Sequence, residues 1–196
     1  MATIGPSHGH GTVNRPALTR VVLTGSESVG KTTLATQLAA HYDALVVPEF
    51  VRDYAESKGA PLDFRDHGPI AKGVMALDDQ RRAEAESRGA RLLLHDTDLV
   101  STVVYCHHYF GRCPQFIEDA AVERQGHHYL LLDIDVPWVA DGVRDRGDRR
   151  PELHALFADT LARLQLPVTV VSGGWPQRLS RAVDLIDALL DVSRPR

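Results

Sequence analysis

The sequence predicts an α/β fold, a parallel sheet covered by helices on both faces. Short uninterrupted apolar runs alternate with amphipathic stretches along the chain, the pattern of strands buried on both sides and linked by helices. A glycine-rich turn joins the first apolar run to the first helical stretch. No internal repeat and no linker breaks the alternation, so one domain is expected over 17–196. The leading residues 1–16 are rich in Gly, Pro, Ser, Thr and His and read as a flexible tail.

The elements follow in order. Val21, Val22 and Leu23 in succession predict a strand over 18–24. Leu34, Ala35, Leu38, Ala39 and Tyr42 recur at a helical period and predict a helix over 32–42. A short buried strand over 44–47 stops at Pro48, and a long helix spans roughly 68–88. A strand over 91–95, helices over 99–110 and 114–125, and a strand over 128–134 come next. The segment 137–150 is polar and arginine-rich. A helix over 152–164, a last strand over 168–171 and a closing helix over 177–192 complete the chain.

Composition narrows the function. At 196 residues, with 43% hydrophobic and 24% charged content, the chain is long enough to bury a core of ordinary globular character. A net charge of −4 argues against a general nucleic-acid or membrane-surface binder. Cys106 and Cys113 are too few for a disulfide framework and fit a reducing, cytoplasmic setting. No apolar run approaches the roughly 20 residues of a membrane span. Residues 1–15 lack the apolar stretch of a secretory signal. The tail's Ser7-His8-Gly9-His10 faintly matches a His-x-Gly-His nucleotidylyl-transfer element, but a short tail cannot supply the domain that element needs.

The strongest motif is Gly25-Ser26-Glu27-Ser28-Val29-Gly30-Lys31-Thr32, a complete Walker A pattern with a strand leading in and a helix leading out. Glycine at both ends permits backbone conformations and close approaches that a side chain would block. Successive N–H groups and the helix start then point at phosphates. Lys31 is expected to reach the β- and γ-phosphates of ATP, and the Thr32 hydroxyl to ligate Mg²⁺. Lysine occurs only at positions 31, 58 and 72, so an otherwise arginine-using chain keeps a compact ammonium at this one motif position.

Carboxylates gather at other strand ends, where ligands bind in open parallel sheets. Asp96, closing the strand over 91–95, is placed to hold Mg²⁺ directly or through water. Asp98, two residues further on where the chain turns into a helix, is a catalytic candidate that could also contact Mg²⁺, with the N-cap of the next helix as the alternative. Glu49 and Arg52, after the strand over 44–47, suit an acceptor site: the carboxylate orients a hydroxyl and takes its proton, and the cation holds substrate. A surface salt bridge at a helix start would look the same. Arginines of the segment 138–150, hinged at Gly142 and Gly147, can close over ATP as a lid or pair with the interspersed Asp residues on a solvated surface. Ser172-Gly173-Gly174-Trp175-Pro176 reads as a plain turn between strand and helix. Cys106, His107, His108, Cys113, His127 and His128 lack a recognised zinc spacing.

The ordered set resembles the ribosylnicotinamide kinase domain of NadR-type proteins, grouped with small AAA_28 P-loop domains. The carrying segments are the P-loop extended through Thr33-Leu34, Pro48-Glu49-Phe50-Val51-Arg52-Asp53-Tyr54, Asp96-Thr97-Asp98, and Pro137-Trp138-Val139-Ala140-Asp141-Gly142-Val143-Arg144. The resemblance implies a three-layer P-loop NTPase fold of nucleoside/nucleotide-kinase type, with five parallel strands and helices on both faces. It implies ATP and Mg²⁺ as cofactors and transfer of phosphate to the 5′-hydroxyl of nicotinamide riboside. Residues 25–33 would bind the nucleotide, Thr32 and Asp96 the metal; Glu49, Arg52 and Asp98 would serve the reaction. In place of a plain turn, the segment 172–176 would be a loop that approaches the adenine base. Arg144, with Trp138, Asp141 and Arg146, would belong to the lid, and Trp138 would stack on a pyridinium ring. Full NadR proteins carry an adenylyltransferase domain that is not expected here. The other readings are a kinase of another nucleoside and an ATP-binding regulatory module without phosphotransfer; the second needs the P-loop but not Glu49, Arg52 or the lid arginines.

Overall fold

The computed structural model describes residues 17–137 and 149–192. The expected tail (1–16) and the lid residues Trp138, Asp141, Arg144 and Arg146 lie outside the described residues.

Five parallel strands form one sheet: β1 (Thr19–Thr24), β2 (Leu45–Val47), β3 (Leu92–Asp96), β4 (His128–Leu132) and β5 (Val168–Val171). Their spatial order is β2-β3-β1-β4-β5, so the P-loop strand sits in the middle. The helices are α1 (Lys31–Tyr42), α2 (Phe50–Lys58), α3 (His67–Ser87), α4 (Leu99–Phe110), α5 (Gln115–Glu123), α6 (Arg150–Arg163) and α7 (Trp175–Val192). Each strand alternates its side chains between two helical layers. Val21, Leu23, Leu94, Leu130 and Leu132 pack with Leu34 and Leu38 of α1 and Ala182 and Ile186 of α7. On the other face, Val22, Tyr129 and Leu131 pack with Val100 and Val104 of α4, Ile117 of α5 and Phe157 of α6. These are the three layers expected.

Element ends shift by up to two residues from the sequence reading, and one α-helix is additional to it. The segment 50–58, for which no element is expected, is α2, a polar helix that buries no residue. The sixth helix begins at Arg150, two residues earlier than expected, with a proline in its first turn, where a missing N–H costs nothing. The closing helix likewise begins at Trp175 with Pro176 second. Among the described residues, no helix is long and apolar enough to cross a membrane.

Candidate nucleotide site

The loop between β1 and α1 is shaped by its glycines. Gly25 has φ +130°, and a Cβ there would lie 2.9 Å from the Leu132 carbonyl oxygen. Gly30 has φ +85°, and a Cβ there would lie 2.4 Å from the Trp175 ring. Only glycine meets both demands. Ser28 also adopts positive φ, +52°. Lys31, the first residue of α1, is buried, and its ammonium donates to the carbonyls of Gly25 at 3.1 Å and Ser26 at 2.8 Å. The lysine is thus folded over the loop it serves, held by the loop's own oxygens. The Ser26 side chain is wholly enclosed, and its hydroxyl has no hydrogen-bond partner among the described residues. Val29 is buried, whereas Thr32 and Thr33 are exposed at the start of the helix.

The sheet register brings the next strand end alongside. Leu23 pairs with Asp96, and the Thr97 N–H donates to the Leu23 carbonyl at 3.1 Å. The Thr32 hydroxyl donates to Asp96 Oδ2 at 2.5 Å. Asp96 itself is only 2% exposed. Thr97 between the two aspartates has φ +72°, a left-handed conformation that strains a β-branched residue by ~1–3 kcal/mol. A single hydroxyl and a single carboxylate suit Mg²⁺, which keeps waters and phosphate oxygens as its remaining ligands. Residues Thr32 and Asp96 therefore fit the metal the motif implies.

Of the two readings of Asp98, the geometry is that of the cap. Oδ1 accepts from the N–H groups of Val100 at 3.0 Å and Ser101 at 3.4 Å, and Oδ2 accepts from the Tyr129 hydroxyl at 2.7 Å. Burial pushes its pKa up to about 6 against the pull of those bonds. Glu49 precedes α2 and makes no capping bond; its Oε2 lies 3.2 Å from Arg52 Nη2. The salt bridge at a helix start is present, and it stands at the carboxyl end of β2, next in the sheet to β3.

Sequence reading did not single out Arg178. It is fully buried, and its Nε donates to the Gly173 carbonyl at 2.8 Å, Nη1 to that of Val29 at 2.9 Å and Nη2 to that of Asp133 at 3.0 Å. Nη2 also pairs with the Asp135 carboxylate. One side chain therefore ties the P-loop to the ends of β4 and β5. The Asp135 carboxylate accepts from the Gly173 N–H at 2.5 Å, closing the knot. Trp175 lies against Gly30, its ring centroid 5.5 Å from the Arg178 guanidinium. The chain bends at 173–174 from β5 into α7, which sets Trp175 beside the P-loop. A signal existed: Arg178 shares one stripe of α7 with the buried Ala182 and Ile186 at four-residue spacing, and a polar residue on such a stripe calls for partners.

Around α4 the histidines serve local contacts. His107 lies 2.8 Å from Glu118, His127 accepts from the Arg20 N–H at 2.9 Å, and His128 meets Thr169 at 2.9 Å. Among the described residues no three His, Cys, Asp or Glu side chains converge as a metal cluster, and both cysteines are free thiols. Tyr109 ends this helix by donating to Glu27 of the P-loop at 3.3 Å.

Comparison with known proteins agrees with this geometry. The chain is 30% identical over 181 residues to the trifunctional NAD biosynthesis/regulator protein NadR of Escherichia coli K12, a match covering 89% of this chain and 43% of the relative. The Salmonella typhimurium NadR is 29% identical over 177 residues, covering 87% of this chain and 42% of that protein. The chain thus spans less than half the length of these relatives. Among solved structures, a NadR protein in complex with NR superposes with a TM-score of 0.77 at 24% identity, covering 91% of this chain and 53% of that one. A thymidylate kinase from Ehrlichia chaffeensis superposes at 0.61 with 14% identity, covering 87% and 99%. Both likenesses establish the P-loop nucleotide-kinase-like fold. Residues 20–178 match the model of the AAA_28 family, described as an AAA domain, and with the P-loop intact inside that span the chain belongs to this family as a NadR-like P-loop domain.

Proposed function

We propose that this protein is a cytoplasmic ATP-dependent kinase that phosphorylates nicotinamide riboside at its 5′-hydroxyl to give nicotinamide mononucleotide. The observation that supports phosphotransfer is the convergence of Lys31, Thr32 and Asp96 at the ends of β1 and β3, with Glu49 and Arg52 at the end of the neighbouring β2. The acceptor is suggested by NadR: one solved relative holds NR, another holds NAD and AMP-PNP.

The P-loop N–H groups cradle the phosphates, and Lys31 exchanges the Gly25 and Ser26 carbonyls for phosphate oxygens. Thr32 and Asp96 would hold Mg²⁺, which would supply charge neutralisation on the phosphates. Glu49 accepts the proton of the attacking hydroxyl, and Arg52 keeps that carboxylate aimed. Asp98, capping α4 two residues after Asp96, fixes the turn that presents the metal carboxylate. Trp138, Asp141, Arg144 and Arg146 of the expected lid would close over the nucleotide and riboside.

Purified protein with Mg-ATP and a panel of nucleosides tests the reading. ADP release dependent on nicotinamide riboside is expected, and Lys31→Ala is expected to abolish it. Turnover with a different acceptor would redirect the specificity. Tight ATP binding without any turnover would make the chain a nucleotide sensor instead.

A further inference from the structure

The chain has two cysteines, Cys106 and Cys113, and the fold brings them together. Cys106 stands near the end of α4 and is fully buried. Gly111, with φ +65°, ends that helix, and the short loop behind it returns Cys113 to the same place, half-buried against the core. The two thiols are hydrogen-bond partners. A buried cysteine that only packs behaves as a small hydrophobe and needs no second thiol beside it.

The third member of the cluster is His67, which opens α3 and is buried. Its Nδ1 lies 3.2 Å from the Asp63 carbonyl; a carbonyl only accepts, so that nitrogen carries a proton. The ring's other hydrogen bond goes to Cys106. Phe64 and Phe110 fix the imidazole, with centroids at 6.5 and 5.2 Å from it. The bond from Cys113, and then His67, hold the Cys106 thiol below its usual range despite its burial. A thiolate is thereby favoured on the enclosed sulfur, and the thiolate is the nucleophile. One sulfur is within reach of solvent and the other is activated beside it. In a reducing compartment, a bond between two such sulfurs is transient and redox-sensing.

We propose that Cys106 and Cys113 are a modification site at which a peroxide closes a reversible disulfide. Cys113, the sulfur that solvent reaches, takes one oxygen of hydrogen peroxide as the O–O bond breaks. It becomes a sulfenic acid, and the second oxygen leaves as water. The Cys106 sulfur, its proton taken by His67, then attacks the sulfur of Cys113. The S–S bond forms, the S–O bond breaks, and His67 gives its proton to the departing hydroxide, which leaves as water. The two thiols together lose two protons and two electrons, and the peroxide gains them. A small dithiol returns both by exchange. The chemistry needs no nucleotide and stands apart from the kinase reading.

Treatment of the reduced chain with hydrogen peroxide tests this. Both thiols are expected to disappear together, in a chain that stays single on a denaturing gel without reductant, and to return with dithiothreitol. Trypsin cuts after Arg112, between the two cysteines, so the bond shows as two peptides joined until reduced. In Cys106→Ser, Cys113 should stop at a sulfenic acid that dimedone captures. In Cys113→Ser, the enclosed Cys106 should keep its thiol under the same treatment. His67→Gln, its folding checked by Tm, should close the bond about tenfold or more slowly while sulfenic acid accumulates. Thiols that survive the treatment, bonds only between chains, or sulfinic acids without joined peptides would overturn the assignment. Closure at the wild-type rate in His67→Gln would overturn the step given to the histidine.

Discussion

Two guanidinium groups lie buried near one another at the rim of the sheet, and they are in opposite states. Arg178 has an acceptor for each of its three nitrogens, drawn from the P-loop and from the ends of β4 and β5. Arg150 has one, the Val136 carbonyl. Both are cations removed from water, so both lost hydration on folding. The protein recovers that loss internally at Arg178 and leaves it open at Arg150. A complete group of this kind fixes a shape, whereas an incomplete one has donors ready for a ligand.

The largest expected effect separates them by stability. Arg178→Met leaves three carbonyls, that of Val29 buried, and the Asp135 carboxylate without their partner and should cost about 2–4 kcal/mol. In a chain of this size that is a fall in Tm of about 10 °C. Arg150→Met loses one bond and relieves one unpaired charge, so its melting point should stay within a few degrees of wild type. Similar losses in both would erase the distinction.

Next comes the seam that Arg178 shares with Trp175. Gly30→Ala pushes a methyl group to within 2.4 Å of the Trp175 ring and should cost about 1–3 kcal/mol by overpacking, besides weakening ATP binding. Combining it with Trp175→Ala should recover the packing part and leave the strain of positive φ. If the double variant is no better than the single one, the ring is not what holds Gly30.

The smallest effect is one of pH. The Gly173 N–H and then Arg178 hold the Asp135 carboxyl below its usual range. A carboxyl with a depressed folded pKa stabilises above its unfolded value and loses that contribution as pH falls through the folded one. Trp175 fluorescence should therefore be steady from neutral pH to about 4 and change below it. In Asp135→Asn the change should be absent. An identical acid transition in that variant would assign it elsewhere.

Much of this site is readable from the chain because it is local. Gly25, Gly30, Lys31 and Thr32 act through backbone conformation and a helix start, which neighbouring residues specify. Asp98 announced its cap by preceding an apolar helix, and its place beside a strand end made it a catalytic candidate as well. Arg150 was legible only as one arginine in a polar run, since burial, not identity, distinguishes it from Arg149.

The sequence by itself determined the alternation of strands and helices, the phosphate loop and the acidic strand end, because each is written within a few consecutive residues. Tertiary structure alone decided that β3 lies beside β1, so that Thr32 meets Asp96 across 64 positions. It alone decided that Arg178 reaches Val29 across 149. Strand order and the burial of a charge depend on contacts between distant segments, and no local pattern specifies them.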